Sequence, residues 1–201
     1  MNIIIENITM IDPFAGETKK INLLIESNRI KEMSHSPIEA SLSDVKLISG
    51  KNRYCFPGLI DIHTHLREPG FEHKEDIKTG SLAGLHGGFT TITSFPNTNP
   101  VIDSVAHLED LKKRIDEKSV IRVLPIASMT IGLSGETLTD FKALKKSGSI
   151  ALTDDGKGVQ DVKIMNDAIK LAKENDILLL IHPEIEDLAG DGVVHEGEVS
   201  N

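Results

Sequence analysis

The 201-residue sequence has no tryptophan, one tyrosine and only 3% aromatic residues, so a wall of stacking rings for bases or sugars is not expected. It has a single cysteine, Cys55. One cysteine excludes an internal disulfide and a Cys-rich zinc module, and it fits a reducing compartment. An excess of positive charge is also missing: 22 Lys and Arg stand against 31 Asp and Glu, a formal net charge of −9. Binding to nucleic acid or an anionic membrane is driven by Lys and Arg against phosphate, so neither partner is expected. No stretch approaches the ~20 apolar residues of a membrane span. The start, Met1-Asn-Ile-Ile-Ile-Glu-Asn7, has no basic segment and too short an apolar run for a signal peptide. A soluble, cytoplasmic protein is the expectation.

What is present is ordinary globular material, 39% apolar and 26% charged. The length suffices for one domain with a sizeable core, or a core plus a small appendage. Residues 1–54 read as a small β-rich domain. Asn2–Met10 is β-rich, Asp12–Gly16 is a turn, and Lys20–Ser27 alternates around Ile21, Leu23 and Ile25. Asn28 and the polar stretch Ser34–Ser43 supply further turns before Val45–Ile48. No helical period occurs there, and a boundary is expected near Tyr54.

Residues 55–201 then repeat strand and helix. The expected strands are Leu59–Ile62, Phe89–Phe95, Val120–Ser128, Ser149–Thr153 and Ile177–Ile181. The expected helices are Lys74–His86, Ser104–Ser119, Glu136–Ser147 and Gln160–Asn175. Strands separated by helices pair in parallel through right-handed crossovers. The fold class is therefore α/β. Five such steps do not close an eight-stranded barrel, and after His182 the chain turns acidic and Gly-rich without another strand. Of a complete open sheet and the first part of a larger barrel, the second is expected.

The organising stretch is Phe56-Pro-Gly-Leu-Ile-Asp-Ile-His-Thr-His-Leu-Arg-Glu-Pro-Gly70. Leu59, Ile60 and Ile62 read as a short buried strand. His63 and His65, two apart, can share one face and reach one point, as a pair of metal ligands must. The alternative is a polar strand end with two solvent-facing histidines. The other strands end in Asn97, Asp155 and His182. Parallel barrels place their active sites at these C-terminal strand ends. Two imidazoles, a carboxylate and a third imidazole suit a borderline metal such as zinc, and a carboxylate can bridge two ions. Bound zinc lowers the pKa of water to about 7, so hydrolysis at an amide-like carbon, or its reverse, follows. Arg67 offers a planar fork for a carboxylate and Asn97 an amide beside it, which suggests a small anionic substrate. Against these stand a surface ion pair of Arg67 with Glu68 or Glu72, a turn role for Asn97 between two prolines, and a cap role for Asp154-Asp155 near Gly156. Alternation along Ser149, Ala151, Thr153 and Asp155 keeps Asp154 and Asp155 from both facing the interior. His35, His73, His86, His107 and His195 are not at strand ends and read as surface or helix residues.

Asp61-Ile-His-Thr-His-Leu-Arg-Glu-Pro-Gly70, Pro96-Asn-Thr-Asn-Pro100 and Thr153-Asp-Asp-Gly156, in this order, resemble the dihydroorotases of the amidohydrolase superfamily. The nearest likeness is to the monofunctional bacterial type with an aspartate metal bridge. It runs over essentially the whole chain, including Val194-His-Glu-Gly197. The resemblance implies the first five strands of a distorted (β/α)8 metal-dependent hydrolase barrel, preceded by part of a small β-sandwich. It implies two zinc ions and the reversible cyclisation of N-carbamoyl-L-aspartate to L-dihydroorotate in pyrimidine biosynthesis. His63 and His65 would bind the first zinc, His182 the second, and Asp155 would bridge them. Arg67 and Asn97 would hold the substrate carboxylate, with His65 close to the ligand. A homodimer, or association with other pyrimidine-pathway enzymes, is the corresponding expectation for partners.

Three departures matter. Pro183 follows His182 where relatives have a small residue or Cys, and it restricts that histidine's backbone. Ser94-Phe95 stands where a Met is common. The family's fourth metal histidine and catalytic aspartate belong to strands later than Asn201, so no general acid/base is assigned, and this chain alone is expected to be an incomplete, inactive fragment. The rival readings are a hydantoinase or allantoinase, a non-catalytic scaffold subunit, and a fragment whose strand edge recruits another chain. Arg67 and the aspartate bridge speak against the first, and the retained ligands against the second.

Overall fold

The computed structural model describes residues 2–39, 44–190, 192, 197 and 198. The chain divides into two compact units, Met1–Gly58 and Leu59–Asn201. Val194, His195 and Glu196 lie outside the described residues, as does the end of the polar stretch at 40–43.

In the first unit, β1 (Asn2–Asp12) pairs antiparallel with β2 (Glu17–Glu26), and β2 with β3 (Arg29–Ser34). On its other side β1 carries β4 (Val45–Ser49) and β5 (Tyr54–Cys55), both parallel. Ser27 and Asn28 both have positive φ, 48° and 62°, as a two-residue hairpin turn requires. That turn creates β3, which sequence patterning did not predict: Arg29-Ile-Lys-Glu-Met-Ser34 is an edge strand, mostly exposed and rich in charge. Ile8, Ile21 and Leu23 form the unit's core, with Ile5, Met10 and Cys55 against them. Tyr54–Cys55 is hydrogen-bonded to β1 and belongs to the first unit, which runs to Gly58.

In the second unit, β6 (Leu59–Asp61), β7 (Phe89–Ser94) and β8 (Arg122–Pro125) form a parallel sheet in that order. β9 (Ala151–Thr153) and β10 (Leu178–Leu180) form a second parallel pair, and the bridge Ala127–Leu152 links the two sets. Between the strands run α1 (Ile77–His86), α2 (Val105–Lys118), α3 (Phe141–Lys146) and α4 (Val162–Asn175), followed by the short α5 (Glu186–Ala189). Leu108, Leu111 and Ile115 on α2 recur at helical spacing and are buried with Ile92, Val123 and Leu152 of the strands. Burying each such side chain stabilises the layer by roughly 1.5–3 kcal/mol. On the other face of the strands, Phe95, Ile126 and Ala151 form a smaller core with Leu180.

Several expected elements shift for local reasons. α1 begins at Ile77 rather than Lys74 because the Asp76 carboxylate accepts the Thr79 N–H and caps the helix there. α3 is half its expected length. Residues 136–140 leave the helix because Leu138 bridges to Thr130 and the Ile131 N–H donates to the Thr137 carbonyl. α5 was not expected at all. Leu59, Ile60 and Ile62 are 41%, 63% and 64% exposed, against the expectation of a buried strand. β6 is paired only on its β7 side among the described residues, so its other edge is uncovered. No helix among the described residues is long and apolar enough to cross a membrane.

Candidate metal centre

Four strand ends of the second unit, those of β6, β7, β9 and β10, carry His63 and His65, Asn97, Asp155 and His182, and three of these residues meet. His63, His65 and Asp155 each offer a ligand atom, and these atoms lie within 4.8 Å of one another. Asp155 is the hub. Its Oδ2 is 3.5 Å from His63 Nε2 and its Oδ1 is 3.3 Å from His65 Nε2. His182 falls outside that closest set, yet its Nδ1 is 3.4 Å from Asp155 Oδ2.

Local structure explains each placement. The Asp61 carboxylate accepts the His63 N–H at 3.0 Å as β6 ends, turning the backbone out of the strand. The His63 ring then stacks on Phe95, with centroids 4.3 Å apart and planes 11° apart. The Thr64 carbonyl accepts the Phe95 N–H at 3.1 Å, tying the two strand ends together. His65 is held by Asn97: its Nδ1 is 2.9 Å from Asn97 Oδ1. An amide oxygen only accepts, so Nδ1 carries the proton and Nε2 presents a lone pair toward Asp155. Asp155 itself is buried and set by its N–H donating to Thr153 Oγ1 at 3.0 Å.

The His65 Nε2 lone pair faces the Asp155 carboxylate at 3.3 Å and repels it without a cation between them, and the 3.5 Å from His63 Nε2 is too long for a good hydrogen bond. Two ligand atoms about 2.05 Å from a zinc ion at a tetrahedral angle stand about 3.4 Å apart. The donor set and its spacing therefore fit a nitrogen/oxygen metal site.

Asp154 and Asp155 part company. The Asp154 carboxylate is buried and turns to the segment after β8, accepting the Met129 N–H at 2.8 Å, the Thr130 N–H at 3.0 Å and the Thr130 hydroxyl. Burial pushes its pKa above the usual carboxylate range, and those three donors offset this only in part. His182 is held by Glu184, whose Oε2 is 2.6 Å from Nε2. That hydrogen bond, with a further pull from Asp155, raises the His182 pKa above its ordinary value. Pro183 thus leaves the ring directed at Asp155, with Glu184 behind it.

Arg67 sits two residues past His65, half-buried, with φ of +61°. Among the described residues no carboxylate pairs with it. Glu68 pairs instead with Arg114 and Lys118, and Glu72 accepts the Gly70 N–H. Asn97 is a turn residue and also the partner of His65, which spacing did not reveal. The motifs Arg67–Gly70 and Pro96–Pro100 pack against each other: the Asn99 N–H donates to the Pro69 carbonyl at 2.9 Å, and a Cβ on Gly70 would collide with the Asn99 carbonyl oxygen. His107 bonds to Asp103 and the Val101 carbonyl, away from the site. Sequence reasoning missed Phe95, Asp61 and Glu184. For Glu184, the signal available was a carboxylate two residues from a histidine across a proline.

A family model described as Dihydro-orotase-like matches residues 52–201. The chain is 45% identical over 185 residues to a dihydroorotase of Bacillus cereus, covering 92% of this chain and 42% of that one. It is 47% identical over 184 residues to the dihydroorotase of Geobacillus thermodenitrificans, covering 91% and 42%. It is 41% identical over 200 residues to that of Caldanaerobacter subterraneus, covering 100% and 46%. The chain thus spans less than half the length of these relatives. Among solved structures, a D-hydantoinase superposes with a TM-score of 0.74 at 26% identity, over 92% of this chain and 40% of that one. The L-hydantoinase of Arthrobacter aurescens does so with a TM-score of 0.75 at 15% identity, over 90% and 40%, a likeness of fold.

Proposed function

This chain belongs to the dihydro-orotase-like family, and from that premise we propose that the full-length protein is a metal-dependent dihydroorotase. It would interconvert N-carbamoyl-L-aspartate and L-dihydroorotate in the cytoplasm, with residues 59–201 as the first five strands of a (β/α)8 barrel. The observation that carries the reading is the convergence of His63, His65 and Asp155, with His182 on the same carboxylate. His63 and His65 would hold one zinc ion, His182 a second, and Asp155 both. When bound, such ions supply a nucleophile from water at neutral pH and polarise the substrate carbonyl.

The chain's own residues do the rest. Asn97 keeps the His65 proton on Nδ1 and its lone pair on Nε2, so the ligand is presented in one tautomer. Arg67, which has no carboxylate partner among the described residues, is available for the substrate carboxylate, and the Asn97 amide nitrogen can donate beside it. Phe95 shields one face of His63 from water. The general acid/base is not assigned to a residue of this chain. The test is ring opening of dihydroorotate by the full-length protein, with a neutral hydantoin as control. Turnover of dihydroorotate alone is expected; turnover of the hydantoin alone would refute both the activity and the role of Arg67.

A further inference from the structure

Glu68 is completely buried, a rare condition for a carboxylate unless it is paired. Its Oε2 accepts the Ile77 N–H at 3.2 Å, one of the donors at the start of α1 that has no partner within the helix. Its Oε1 accepts from Arg114 Nη1 at 3.3 Å and from Lys118 Nζ, both on α2. One side chain therefore ties the segment after His65 to the beginning of one helix and the last turns of another.

The residue just before it is under strain. Arg67 has φ of +61°, in the left-handed region that favours glycine, and the Glu68 N–H closes a tight turn onto the Leu66 carbonyl at 2.7 Å. The Phe71 N–H donates to the Arg67 carbonyl at 3.0 Å. Arg67 is thus held between two buried anchors, Leu66 in the helix-facing core and Glu68 in its ion-pair cluster. A strained, non-glycine conformation persists only where the surroundings over-determine it, and such sites cluster where function needs a fixed geometry.

We propose that Glu68 is a positioning residue: its clamp onto α1 and α2 holds the Arg67 turn in the arrangement used for carboxylate recognition. The inference rests on the reading of Arg67 given above. Glu68 itself touches no proposed metal ligand. It acts through the backbone on either side, since Pro69, next in the chain, also receives the Asn99 N–H from the loop that carries Asn97.

The test is a cycle in the full-length, metal-loaded protein using Glu68→Gln, Arg67→Met and the double variant, with dihydroorotate as substrate. Glu68→Gln keeps the side chain's shape and removes the charge that Arg114 and Lys118 hold. The expected result is a tenfold or larger rise in KM with kcat changed less than threefold, and no further rise when Glu68→Gln is added to Arg67→Met. An unchanged KM, or equal losses that multiply in the double variant, would overturn the proposal. If Arg67→Met leaves KM unaltered, the carboxylate-anchor reading fails separately. Amide hydrogen exchange over residues 66–71 then decides the clamp: tenfold faster exchange in Glu68→Gln supports it, and unchanged exchange refutes it. Should Glu68→Gln not fold, Arg114→Met with Lys118→Met loosens the clamp from the solvent side and is read in the same two ways.

Discussion

Replacing Asp154 separates a structural carboxylate from its neighbour in the candidate metal centre. Asp154→Ala removes the acceptor for two backbone N–H groups and the Thr130 hydroxyl in a buried setting. The Met129 N–H keeps a long bond of 3.4 Å to the Thr153 carbonyl, so the Thr130 N–H is the backbone donor left without a partner, beside a Thr130 hydroxyl that must find another acceptor. A buried donor without an acceptor costs about 1–3 kcal/mol. Adding the weakened Met129 bond, and subtracting the relief of a poorly solvated carboxylate, gives a loss of about 2–3 kcal/mol. Asp154→Asn should lose less than about 1 kcal/mol, because its oxygen can take both N–H groups and its NH2 can donate to Thr130 Oγ1. Urea unfolding of the full-length variants at constant m reads the difference.

The pH dependence has a defined sign. The folded pKa of Asp154 lies above the ordinary ~3.9, so the folded state binds its proton more tightly than the unfolded state. The stability that follows is fully present below the ordinary value and is lost as pH rises through the raised one. Asp154→Asn should abolish that decline. Equal damage from Ala and Asn, or no loss from Ala, would refute the reasoning.

Asp155→Ala in the full-length protein should remove both bound metal ions, measured by elemental analysis after dialysis, whereas Asp154→Asn should retain them; retention in Asp155→Ala would remove the bridge. After chelation, His182 should titrate above the ordinary ~6.5 by NMR, and Glu184→Gln should lower its midpoint. The stability from that interaction is present below the ordinary histidine value and disappears as pH rises through the raised one. A midpoint at or below 6.5 (roughly, the unperturbed value) would dismiss Glu184 as its partner.

Much of this protein was legible along the chain. The strand–helix rhythm of 59–181 and the helix starts near Ser104 and Gln160 follow from periods and caps that operate over a few residues, whereas placing His63, His65 and Asp155 together relied on their shared position at the C-terminal ends of parallel strands. Tertiary structure alone decided which partners complete them. Asn97 reaches His65 across 32 positions, Asp154 reaches Thr130 across 24, and Arg114 reaches Glu68 across 46. Glu68 entered only as a possible surface partner of Arg67, and Leu59, Ile60 and Ile62 looked buried, because local patterning reports a residue's polarity but not what packs over it. α3 was shortened for the same reason, since Thr130 and Leu138 claimed the backbone that its helical pattern would have used. Spacing of two or four residues sets which face a side chain occupies; its environment is set by segments distant in sequence, whose arrival depends on the packing of the whole unit.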